Sequence, residues 1–239
     1  IYRKMCCIIS GEPVESTNGR LKTFHGRNFF QTDMLNAPCA DGCNTFSWFC
    51  GQFIPACCGI TQCQLRKKVL LGDWSKYSCF QNQFAFCWCI KAGSCGEENC
   101  PQFCAFVEGC ICNFAAVSAN RQYVMEKYDL ASEPCDYRLI RINNCLQVLA
   151  CICQILAIID GTFNEIARII NFIADLFYHC VSGCMTAQVA HEVNYQIAQG
   201  NGDGSRTERN LQNQAAGASN VAYATEIKGD HHHLAKHQH

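Results

Sequence analysis

The sequence predicts a mainly α-helical protein: a Cys-rich irregular domain, then a C-terminal helical hairpin and a polar tail. Three observations predict it. Residues 142–159 carry no charge, and residues 166–184 repeat apolar positions at alternating spacings of three and four, the period of a helix face. The chain holds 22 cysteines in 239 residues, all between Cys6 and Cys184, a density typical of stapled or metal-bound chains. Charge is sparse and balanced, 19 basic against 20 acidic residues for a net charge of −1. That balance excludes nucleic-acid binding through a basic surface. A mean hydropathy of −0.05 is too low for a polytopic membrane protein and leaves room for one or two membrane-contacting segments.

Residues 1–41 are turn-rich and lack a sustained period, and are expected to form an irregular arm. Residues 42–65 are free of charge, but Gly51, Pro55, Gly59 and three glutamines interrupt them. A broken, partly inserted or buried segment is expected there rather than a clean span. Arg66, Lys67 and Lys68 follow as a compact basic cluster. Residues 73–112 are rich in Cys and Phe, with turns at Gly93, Gly96 and Pro101, and residues 113–128 are helical in pattern. The hairpin comprises a helix over 139–159, a turn at Asp160-Gly161-Thr162, and a second helix running to 195. Thr162 with Glu165 three positions on is the expected capping box. Ile166, Ile170, Ile173, Phe177, Cys180 and Cys184 form an apolar seam, the candidate core stripe and interaction surface. Glu165, Arg168, Asp175 and His179 supply a polar side. The expected organisation is therefore an arm (1–41), a Cys-rich domain (42–138), a hairpin (139–199) and a flexible polar tail (200–239).

Two stretches carry a resemblance. The first is Cys50-Gly51-Gln52-Phe53-Ile54-Pro55-Ala56-Cys57-Cys58-Gly59-Ile60-Thr61-Gln62-Cys63. The second is Arg121, Tyr128-Asp129-Leu130, Glu133-Pro134-Cys135-Asp136, Cys145 and Cys151-Ile152-Cys153-Gln154. In order and spacing they resemble the Cys-rich family of cornifelin, the placenta-specific-eight proteins, plant cell-number regulators and plant cadmium-resistance proteins, over about residues 46–154. The chain departs from that pattern where Gln64-Leu65 follows Cys63 in place of Pro-Cys, in a longer 79–112 stretch, and in its helix over 155–195. The resemblance implies a membrane-associated, non-catalytic protein and does not choose among metal handling, size regulation, channel-accessory and structural roles.

Thiolates suit zinc and softer metals, and Cys57, Cys58, Cys63, Cys151 and Cys153 are the candidate ligands. No two cysteines are separated by two residues, so the zinc-ribbon and thioredoxin spacings are absent. Disulfides or burial as small apolar residues outweigh metal for any single pair, and most cysteines over 39–153 are expected to be oxidised. Cys6 and Cys7 beside Arg3 and Lys4 are candidate lipidation sites. The His231–His233 run with His237 and His239 reads as a tail without a function of its own. H-E-x-x-H, G-x-S-x-G and P-loop motifs are absent, and no enzyme activity is expected.

The function expected is that of a non-enzymatic structural or interaction protein, membrane-associated or part of a larger assembly. Its partner would be another protein or a copy of itself, with membrane contact and no nucleic acid. The competing expectation is a membrane protein handling Zn or Cd, or a transport accessory; for location the competitor is a secreted or surface assembly. Asn143, Asn144, Gln147 and Gln154 make full exposure of 142–159 to lipid expensive. If that segment inserts, Arg138 and Arg141 should mark its cytoplasmic end.

Overall fold

The computed structural model describes residues 8, 28–84 and 96–210, and over these the protein is mainly helical. A two-residue strand β1 (Asn28–Phe29) pairs in parallel with β2 (Leu130–Ala131). The helices are α1 (Cys43–Cys50), α2 (Pro55–Val69), α3 (Pro101–Ile111), α4 (Asn113–Tyr128), α5 (Pro134–Ile159) and α6 (Asn164–Ala198). Residues 42–65 thus form two helices broken at 51–54, as the interrupting Gly and Pro predict. Pro101 and Pro134 sit at helix starts, where a missing N–H costs nothing. Pro134 moves the first hairpin helix five residues ahead of its expected start at 139. Asp129 ends α4 in the left-handed conformation (φ 55°), and α3 and α4 meet at a bend of 119°.

Thr162 does not cap α6. Asp160 accepts from the Thr162 backbone N–H at 2.9 Å, opening a 3₁₀ turn over Gly161–Phe163 that runs into α6. The carboxylate two residues upstream reaches the first free N–H, while Glu165 turns instead to Arg168 (3.2 Å).

One core forms where α2, α4 and the C-terminal half of α6 meet, built on Leu65, Val69, Val124, Met125, Tyr128, Val189 and Val193 with Phe30 from the arm. A second joins Met34, Val117, Ile140, Tyr178, Val181 and Met185. Helices α2 and α3 cross at two glycines: a Cβ on Gly109 would lie 2.8 Å from the Gly59 Cα. Gly183 similarly lets α6 touch α1, its Cβ position being 2.9 Å from the Phe49 carbonyl oxygen.

Arg121 ties this body to the hairpin. Its guanidinium is fully buried, donates to Asp136 Oδ2 (3.1 Å), Ser132 Oγ (2.9 Å) and Gln188 Oε1, and lies over the Phe30 ring. Asp136 also accepts from the Met34 backbone N–H (2.9 Å) and Gln188 Nε2 (2.8 Å). Four separate segments thus share one buried ion pair. A second such pair, Arg66 with Glu108 (3.4 Å), is completed by the Tyr77 hydroxyl and the Phe80 N–H.

A candidate membrane-contacting hairpin

Beyond Arg141, α5 and the facing part of α6 leave the body as a pair whose burial pattern is inverted. The buried positions of α5 are Asp136, Ile140, Asn143, Gln147 and Ala150, spaced four and three apart, and Gln154 and Ala157 are half-buried on the same line. Beyond Ile140 that line is polar or small. Ile142, Val148, Leu149, Ile152, Ile155 and Leu156 are exposed instead, and Ile158 and Ile159 are 85% and 77% exposed. On α6 the buried line is Ala167, Ala174, Tyr178 and Val181. Phe163, Ile166, Ile169, Phe172, Ile173 and Leu176 lie outside.

Small residues bring the two backbones together, and Gln147 joins them, its Nε2 donating to the Ala174 carbonyl at 2.9 Å. Within α5, Asn143 Nδ2 donates to Asn144 Oδ1. Asn144 in turn bonds both the N–H (2.9 Å) and the carbonyl (2.8 Å) of Ile8. The amides that make lipid exposure of 142–159 costly are thereby turned inward or half-covered. In water such a hairpin would expose its apolar side and bury its polar one, the reverse of a soluble pair. In hydrocarbon, small residues and amides are what hold helices together.

Helices α5 and α6 are the two described helices long and apolar enough to cross a membrane. The uncharged run 142–159 rises about 27 Å at 1.5 Å per residue, close to the ~30 Å hydrocarbon thickness. At its base Arg141 lies 5.5 Å from the Tyr137 ring centroid, with Arg138 exposed beside it. Aromatic and cationic side chains of this kind anchor helices at a bilayer surface.

The predicted seam of Ile166, Ile170, Ile173, Phe177, Cys180 and Cys184 packs only in part, Phe177 and Cys184 lying against the second core. Ile166 and Ile173 are exposed, and Ile170, Phe177, Cys180 and Cys184 are half-buried. Ala167 and Ala174, one residue on from Ile166 and Ile173, are buried instead, because small side chains admit a close helix approach. The spacing of Ala167 and Ala174, with Asn143 and Gln147 opposite, is the signal that sequence reasoning missed.

The candidate metal ligands are not brought together. Cys57, Cys58 and Cys63 lie on α2, which packs on α3, α4 and α6, whereas Cys151 and Cys153 lie on α5, which packs on α6. Among the described residues no three His, Cys, Asp or Glu side chains gather where a metal ion could sit. Cys58 is buried, and its thiol donates to the carbonyls of Gln52 and Ile54 at 3.5 Å. Burial first, then the neighbouring Cys57 and Cys110, push its pKa up; burial also raises that of Cys63. Both stay protonated at neutral pH, which weakens them as ligands and nucleophiles.

The expected disulfides are corrected likewise. Among the described residues no two cysteines stand at disulfide distance. Successive residues on a helix point about 100° apart, so the vicinal pair Cys57/Cys58 and the spaced pair Cys151/Cys153 diverge. Cys6, Cys7 and the His-rich tract lie outside the described residues.

Comparison with family models, with curated proteins and with solved structures finds no match to this chain.

Proposed function

We propose that the chain is a non-enzymatic, Cys-rich membrane protein, anchored by the α5–α6 hairpin, that serves a structural or interaction role as the Cys-rich family it resembles does. The observation that carries this reading is the inverted burial of the hairpin: amides and alanines inside, Ile, Leu, Val and Phe outside. The helical body built around Arg121 and Asp136 stands at the membrane surface and presents the cysteine-studded helices α1 to α3. Its thiols act as small packing residues, and Cys58 and Cys63, held protonated by burial, fit no catalytic role.

Flotation with phosphatidylcholine vesicles tests the anchor. The full chain is expected to float and to resist alkaline extraction. Placing Asp at both Ile152 and Ile155 should return it to the aqueous fraction, since each acid near a span centre costs about 3 kcal/mol. Recovery of the unaltered, helical protein in the aqueous fraction would overturn the reading.

A further inference from the structure

We infer that the charged face of α6, centred on Glu165, Arg168 and Phe172, is a symmetric contact with a second copy of this chain inside the membrane. The inference rests on the membrane reading of the hairpin.

Helix α6 has three faces. One packs on α5 through Ala167, Ala174 and Tyr178. A second, with Ile166, Ile169 and Ile173, is apolar and exposed. The third follows spacings of three and four through Glu165, Arg168, Phe172 and Asp175, positions that share one side of a helix, and ends where His179 bonds the Gln52 carbonyl oxygen. Glu165 and Arg168 are 78% and 77% exposed, and Phe172 is 70% exposed. Acyl chains satisfy the second face. The third carries the Glu165–Arg168 ion pair (3.2 Å) into the same layer, where charged groups face one another or protein.

A second copy supplies the complement. Two hairpins inserted in the same direction are related by a twofold axis along the bilayer normal, so equal residues stand at equal heights. Glu165 and Arg168 have opposite sign and differ in height by about 4.5 Å, within reach of a guanidinium. Each Arg168 then bridges its own Glu165 and that of the other copy, closing a neutral ring of two carboxylates and two guanidinium groups. Phe172, one turn on, packs against its equivalent as the apolar anchor of the contact. Helices in membranes cross at about 20°, so the pair splays toward the base, where His179 is held at 2.7 Å by the Gln52 carbonyl oxygen.

The test uses the full chain with donor and acceptor dyes in phosphatidylcholine vesicles, energy transfer being followed as the protein is diluted in lipid. Glu165→Arg and Arg168→Glu, each placing like charges opposite one another, should weaken association on the order of tenfold. An equimolar mixture of those two proteins should associate as the native chain does, because the charges complement one another only between molecules. The chain carrying both substitutions should also recover. If the single substitutions leave association unchanged, or the mixture stays as weak as its components, the contact is wrong. Phe172→Ala supplies the same test should either charge reversal lose helicity, with weakened association expected and unchanged association overturning the contact. A chain that does not float with vesicles overturns the membrane reading instead; the mixing experiment, run by sedimentation in buffer, then judges the contact alone.

Discussion

Gln147 reaches across the hairpin and donates its side-chain amide to the Ala174 carbonyl oxygen at 2.9 Å, at a level where α5 presents Val148 and Leu149 outward. The bond joins two helices that are brought close by Ala150, Ala167 and Ala174. Gln147→Leu should therefore lower the stability of the micelle-bound hairpin by about 0.6 kcal/mol, and by no more than about 1.7 kcal/mol. Ala174→Leu, which forces the helices apart, should cost about 1–3 kcal/mol. Denaturant titration of helicity in micelles checks both, and a harmless Ala174→Leu would mean that the helices do not meet there.

The buried pair of Arg121 and Asp136 sets a second expectation. Removing one partner leaves a charge without its counterion, so Arg121→Met or Asp136→Leu alone should cost about 3–5 kcal/mol. The double substitution should cost less than the two singles added together, because it leaves neither charge stranded. A double-mutant cycle with no coupling would contradict the shared network.

Gly109→Ala should be as disruptive as a core truncation. Its Cβ would stand 2.8 Å from the Gly59 Cα and 2.9 Å from the Gln62 Cβ, and backbone cannot yield as a flexible side chain does. A loss of about 1–3 kcal/mol is expected from such overpacking, read as a lower unfolding midpoint. An unchanged midpoint would show that α2 and α3 are further apart.

Lys127 gives the fold a pH dependence. Burial foremost, and Lys76 after it, bring its pKa down to about 8, while its ammonium donates to the Val69 carbonyl at 3.0 Å. The unfolded chain holds this proton up to its ordinary value near 10.5, so between pH 8 and 10.5 the unfolded state binds more protons. Stability from this group rises with pH across that window and is flat below it. Comparing the native chain with Lys127→Met from pH 7 to 10 isolates the effect, and parallel pH profiles would exclude it.

Thiol labelling separates the body from the hairpin. Cys135 and Cys145 are both exposed, but Cys145 lies within the uncharged run and Cys135 before it. In vesicles a membrane-impermeant maleimide should modify Cys135 and spare Cys145, and detergent should expose both. Buried Cys58 should stay slow throughout. Mass spectrometry of the digested protein reads all three, and equal labelling of Cys135 and Cys145 in vesicles would place α5 outside the bilayer.

The sequence by itself determined the helical class, the break near Gly51, the helix over 113–128 and the hairpin with its turn at Asp160. Each rests on local physics: apolar period, Gly and Pro interruption, and a run of residues without charge. It also marked Asn143, Gln147 and Gln154 as costly in lipid, which is half of the hairpin's logic. Tertiary structure decided the rest. Which of several apolar lines on α6 would pack depended on how closely α5 could approach, and the alanines took the contact from Ile166 and Ile173. The directions of helix side chains hold apart cysteines that are close in sequence, such as Cys57 and Cys58. Arg121 and Asp136 are fifteen residues apart, but their partners Met34 and Gln188 lie far along the chain. A period in sequence reports which face of one helix is apolar; only the packed partner decides whether that face is core or surface.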